Sequence, residues 1–153
     1  MYRTWVSLLT QLDFCYMFEY VCTKIGMPYE LICNAELDAK GIDAMVRDID
    51  IGFQIAKISE RKEARSGKTR RKIVQVPYPV YNLEEIQKRI RNPRTRNREV
   101  YKKRLEAFYK YFTVLENGFV VFKEEYLEEI IRNLGDFNTL IEKIGKIASE
   151  LAG

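Results

Sequence analysis

"KGIDAMVRDIDIGFQIAKIS", residues 40–59, is the stretch whose reading decides the fold. Two apolar runs, 42–47 and 51–58, flank Asp48, Ile49 and Asp50, and this spacing predicts two antiparallel strands joined by a short turn. Side chains alternate along the second run: Gln54 and Ala56 share one face, and Phe53, Ile55 and Lys57 share the other. Asp43 opens the first run, so a carboxylate stands at the end of the hairpin.

Upstream, a helix is expected from just after Thr4 to about Ile25, where Gly26 and Pro28 supply stop signals. Leu8, Leu12, Cys15 and Cys22 follow helical spacing and form its expected inward stripe, on which Glu19 also falls. A carboxylate on an apolar stripe calls for a partner, because burying it bare costs several kcal/mol. Residues 30–34 read as another strand, and "IVQVPYPVY" (73–81) as a fourth, its two prolines suiting a strand end or an edge.

Downstream the pattern is mainly helical. Asn82 with Glu85 three residues on forms a capping box, and Asn92-Pro93 ends that helix. Asn97 can start the next, with Val100, Leu105, Phe108 and Phe112 inward; "VLENGFVVF" (114–122) reads as a hairpin around Asn117-Gly118. Two more helices follow, the last from Asp136 with Leu140, Ile141, Ile144, Ile147 and Leu151 at helical spacing. The order predicts an α/β (α+β) domain on a central sheet, a single unit over 1–153 with a helical second half after residue 80.

Composition narrows the chemistry. With 46% apolar and 31% charged residues the chain reads as a soluble globular protein. Asp13, Glu19 and Lys24 interrupt the apolar N-terminal stretch, leaving no uncharged run of the roughly 20 residues a membrane span needs. No secretory signal is visible, and a cytoplasmic location is expected. Cys15, Cys22 and Cys33 read as buried free thiols. The chain has no histidine, which excludes Ser-His and Cys-His nucleophiles and imidazole-based zinc sites. Hydrolysis of a phosphodiester is then best done by carboxylates holding a divalent metal, with a lysine to stabilise charge.

The net charge of +4 is unevenly spread: residues 57–72 carry +6 and residues 88–104 carry +8, leaving −10 on the rest. Basic segments on an acidic body are the footprint of a phosphate-backbone partner, although two solvated surface loops would give the same tally. The candidate contacts are Arg61, Lys62, Arg65, Lys68, Arg70, Arg71 and Lys72 in "SERKEARSGKTRRK", and Arg91, Arg94, Arg96 and Arg98 in "RNPRTRNR".

Asp43, a short turn and then "FQIAK" resemble the active-site hairpin of the PD-(D/E)XK nuclease superfamily, which includes many type II restriction endonucleases. The resemblance covers roughly residues 4–80. It implies a restriction-endonuclease-like mixed sheet flanked by helices, and a metal-dependent endonuclease acting on double-stranded DNA. It further implies Mg²⁺ held by Asp43, Glu19 and the carbonyl of Ile55, with Gln54 at the motif's acidic position. A homodimer follows from cleavage of both strands at a symmetric site. Ile42 replaces the name-giving proline, and Ala56 stands at the motif lysine with Lys57 one residue late. A one-residue offset turns a strand side chain to the opposite face unless a bulge or twist re-aims it. Three explanations stay open: Lys57 has taken over, the chain is an inactive relative, or Ala56 was placed there to abolish activity. A non-catalytic nucleic-acid-binding module and a protein-interaction domain are the rival functions. Glu36 and Asp38 are spare acidic candidates.

Overall fold

The computed structural model describes residues 5–33, 42–58, 72–116 and 118–152. The basic residues from Arg61 to Arg71, together with Glu36, Asp38 and Asn117, lie outside the described residues.

Helix α1 (Trp5–Ile25) leads into β1 (Leu31–Ile32), β2 (Ala44–Val46), β3 (Ile51–Ile58) and β4 (Lys72–Pro79). These form one mixed sheet in the order β1-β2-β3-β4. β1 with β2 and β2 with β3 are antiparallel, whereas β3 and β4 run parallel from Ile51↔Lys72 to Ile58↔Pro79. The tight β2–β3 connection includes Asp48 in the left-handed region at φ 66, a conformation that Asp and Asn tolerate better than most residues. Pro77 and Pro79 sit in β4, an edge strand, where a missing amide costs no ladder bond on the open side.

Beyond the sheet come α2 (Leu83–Arg91), α3 (Arg98–Tyr111), the hairpin of β5 (Phe112–Val114) and β6 (Val120–Phe122), then α4 (Glu124–Arg132) and α5 (Phe137–Ala152). The Asn82 side chain accepts from the Glu85 amide at 3.2 Å, the N-cap half of the expected box, while the Glu85 carboxylate accepts from Arg89 at 2.9 Å. Asn97 precedes α3 in the left-handed region without a side-chain cap. Phe112 leaves the helix and opens β5, yet its ring still stacks on Phe108 at 5.8 Å.

The buried stripe of α1 differs from the expected one. Leu8 and Leu12 are exposed, and the buried positions among the described side chains of α1 are Thr10, Phe14, Phe18, Val21 and Cys22. Aromatic volume decides this: Phe14 and Phe18 reach Phe53 of β3 at 5.4 and 6.0 Å between ring centres, and Phe14 meets Phe122 at 5.5 Å. Burying each phenyl is worth about 1.5–3 kcal/mol, and edge-on ring contacts add to it. Ile141 of α5 is likewise exposed, while Leu140, Ile144, Ile147 and Leu151 are buried as expected. Tyr126 closes the core, its hydroxyl donating to the Pro77 carbonyl at 2.8 Å.

Candidate active site at the end of the central hairpin

The β2–β3 ladder ends in an irregularity that re-aims Asp43. Ala44 is the register partner of Phe53, yet the Asp43 amide also donates to the Phe53 carbonyl, at 2.8 Å. Two residues of one strand thus oppose one of the other, which is a β-bulge. Side chains on either side of it follow suit. Ile42 turns to the Gly52 side, its Cγ2 lying 3.2 Å from where a Cβ on Gly52 would stand, so a larger residue there would have to push the Ile42 side chain aside by a few tenths of an ångström. Asp43 falls with Ala44 on the Phe53 face. Its Oδ2 accepts from the Ile55 amide at 2.7 Å, taking the place of a ladder carbonyl.

The consequence for the motif is a change of face. Without the bulge, the ladder would set Asp43 opposite Gln54. With it, Asp43 shares the face of Phe53, Ile55 and Lys57, and Gln54 and Ala56 lie on the other side, where Gln54 pairs in register with Gln75 of β4. Asp43 and Lys57 therefore lie on one face of the hairpin. Lys57 is exposed, about 7 Å along the strand from Ile55. In an extended strand a residue's amide and carbonyl share an edge, and the Ile55 amide meets Asp43.

Helix α1 presents a stripe to this end of the sheet, with side chains at spacings of four. Gln11 Nε2 donates to the Asp43 carbonyl at 2.7 Å. Cys15 Sγ lies 2.6 Å from Cys33 Sγ at the exit of β1. One turn further, Glu19 is exposed beside a surface hollow of about 420 Å³ lined by Tyr16, Glu19, Tyr20, Thr23 and Lys24. Glu19 and Asp43 flank the thiol pair closely enough that both carboxylates disfavour its ionisation. The Cys15 thiol is pushed up chiefly by its hydrogen bond with Cys33, then by burial. Cys33 moves down, the same hydrogen bond outweighing burial and the two carboxylates. Only Cys22 is buried; Cys15 is half-buried and Cys33 exposed, contrary to the expectation of three buried thiols. Sequence spacing gave no sign of the Cys15–Cys33 contact, because the loop after α1 sets it. Gln11 carries one signal in the sequence, a polar residue four before Cys15 and eight before Glu19.

Asp43, Glu19 and the Ile55 carbonyl offer hard oxygen donors, the type Mg²⁺ takes when it keeps several waters. The bond from the Ile55 amide fixes the Asp43 carboxylate, as a metal ligand needs. Among the described residues, no group of three or more His, Cys, Asp or Glu side chains could hold an ion alone, so water and backbone oxygen would have to complete the shell.

Of the second basic segment, Arg91, Arg94 and Arg96 are exposed around the turn between α2 and α3. Asn92 shapes that turn, its side chain accepting from the Arg94 amide at 3.0 Å. Arg98 is half-buried and its Nε donates to the Ile90 carbonyl, which ties the two helices together. Lys72, grouped with the first basic segment by sequence, opens β4 with its ammonium 5.0 Å from the Phe137 ring centre. Among the described residues no helix is long and apolar enough to cross a membrane.

The mixed sheet flanked by helices accords with the class that the sequence comparisons show, the type II restriction endonuclease-like proteins. Within that class it belongs to the TaqI restriction endonuclease family, whose sequence profile matches residues 1–134. It is 37% identical over 138 residues to a type II restriction enzyme of Thermus thermophilus. It is 36% identical over 138 residues to the type II restriction enzyme TaqI of Thermus aquaticus. Each match covers 85% of this chain and 50% of the relative, so the chain spans about half the length of the curated relatives it matches. No solved structure matches the chain.

Proposed function

We propose that the protein is a Mg²⁺-dependent endonuclease of a restriction system that hydrolyses phosphodiester bonds of double-stranded DNA, acting as a homodimer in the cytoplasm. The observation that carries this reading is the bulge that turns the Asp43 carboxylate onto the Ile55–Lys57 face of β3 in a chain of the TaqI family. Residues 1–153 are read as one nuclease-like unit.

In this reading Asp43, Glu19 and the Ile55 carbonyl hold the cation. A divalent ion bound there supplies Lewis acidity at the scissile phosphate and makes a neighbouring water more acidic. Gln11 and the Ile55 amide keep Asp43 in place through its carbonyl and carboxylate. The Lys57 ammonium stabilises negative charge developing on the phosphate and orients the attacking water. Gln54, on the opposite face, serves the sheet instead of the site. Arg91, Arg94 and Arg96, with Arg61, Arg65, Arg70 and Arg71, engage the DNA backbone by charge and bidentate hydrogen bonds, and Lys62 and Lys68 add point charges. Lys72 and Arg98 hold structural contacts and contribute to the same field.

Supercoiled plasmid incubated with protein and Mg²⁺ tests the reading: linear product is expected, and EDTA stops its formation. Metal-independent retention of DNA without cleavage would instead identify a binding module.

A further inference from the structure

Cys15 and Cys33 are separated by 18 positions in sequence, yet their sulfurs stand 2.6 Å apart. A formed disulfide measures about 2.05 Å, so a sulfur movement of about half an ångström closes the bond. The two residues differ in access: Cys33 is exposed where the chain leaves β1, and Cys15 is half-buried on α1. We propose that this pair is a reversible thiol–disulfide site, with Cys33 the point of entry and Cys15 the residue that completes the bond, tying α1 to β1.

The chemistry balances with a small-molecule disulfide as oxidant. The Cys33 sulfur, having lost its proton to solvent, attacks one oxidant sulfur, forming a mixed disulfide and releasing one thiolate, which takes up a proton. The Cys15 sulfur, losing its own proton, then attacks Cys33, forms the intramolecular bond and expels the second thiolate. Two protein thiols are oxidised and one oxidant disulfide is reduced to two thiols. Cys22 is excluded by burial. None of these steps needs Asp43, Glu19 or a metal, so the proposal stands apart from the nuclease reading.

The test treats the whole chain with oxidised glutathione, alkylates it with iodoacetamide in denaturant, and maps the products by mass. One alkylated cysteine, Cys22, and a Cys15–Cys33 cross-linked peptide that dithiothreitol reverses are expected. Cys22→Ser should cross-link as readily, and Cys15→Ser should stop at a stable glutathione adduct on Cys33. Three alkylated thiols, a cross-link through Cys22 or between chains, or a persistent Cys33 adduct in the unaltered chain would each overturn the proposal.

Discussion

Replacing Asp43 separates its two roles, because its carboxylate both satisfies a backbone donor and faces the proposed cation. Asp43→Ala leaves the Ile55 amide, now bonded at 2.7 Å, without its acceptor in a half-buried position. An unsatisfied amide of this kind costs about 1–3 kcal/mol, and at about 2 kcal/mol the folding constant falls roughly 30-fold. Asp43→Asn keeps an oxygen in the same place, so its stability loss should be about 1 kcal/mol or less. Cleavage should respond differently. Both variants lose the anionic ligand, and since even residues that only support a metal ligand cost about 10–100-fold, at least about 100-fold is expected for each. Urea unfolding followed by circular dichroism gives the stability order, with the slope unchanged and the midpoint shifted. Plasmid cleavage in Mg²⁺ gives the activity. An Asp43→Asn variant that cuts at the unaltered rate, or an Asp43→Ala variant as stable as the parent, would refute the reasoning.

Three further outcomes are expected. Tyr126→Phe strips the Pro77 carbonyl of its buried donor and should lower unfolding free energy by about 1–2 kcal/mol in the same urea experiment. Burial raises the pKa of Asp13 against the lowering effect of its bond from the Phe122 amide. The folded state therefore binds its proton more tightly, and the contribution of Asp13 to stability is lost as pH rises from the ordinary 3.8 through the raised value. Asp13→Asn keeps an acceptor for Phe122, so it should flatten that slope and be relatively more stable at neutral pH; melting temperatures across the acidic range check it. Arg94→Gln with Arg96→Gln should reduce the log–log salt slope of DNA binding by about 2, read from filter binding at several salt concentrations without metal.

How far the sequence disclosed this molecule depended on the range of the interactions involved. The capping box at Asn82, the stop at Asn92 and the 51–58 strand are local, and composition specified them. Cys22 is buried as its spacing implies, but spacing alone cannot rank Leu8 and Leu12 against Phe14 and Phe18, whose rings interlock with Phe53 and Phe122 across the core. Alternation along β3 alone separates Lys57 from Gln54, but it does not tell which of the two faces Asp43 joins. That is decided on the partner strand, and a bulge made by ordinary residues at 43 and 44 leaves no mark in a single sequence. The Cys15–Cys33 approach is tertiary for the same reason.

The central claim is that the working face of β3 is the one carrying Ile55 and Lys57, opposite to Gln54 and Ala56. Plasmid cleavage by Lys57→Met, with and without Ala56→Lys, tests it most directly. The expected result is loss of cleavage in Lys57→Met and no recovery when Ala56→Lys is added, because that lysine would project from the wrong side of the strand. Recovery of cleavage in the double variant would contradict the account and return the site to the Gln54 face.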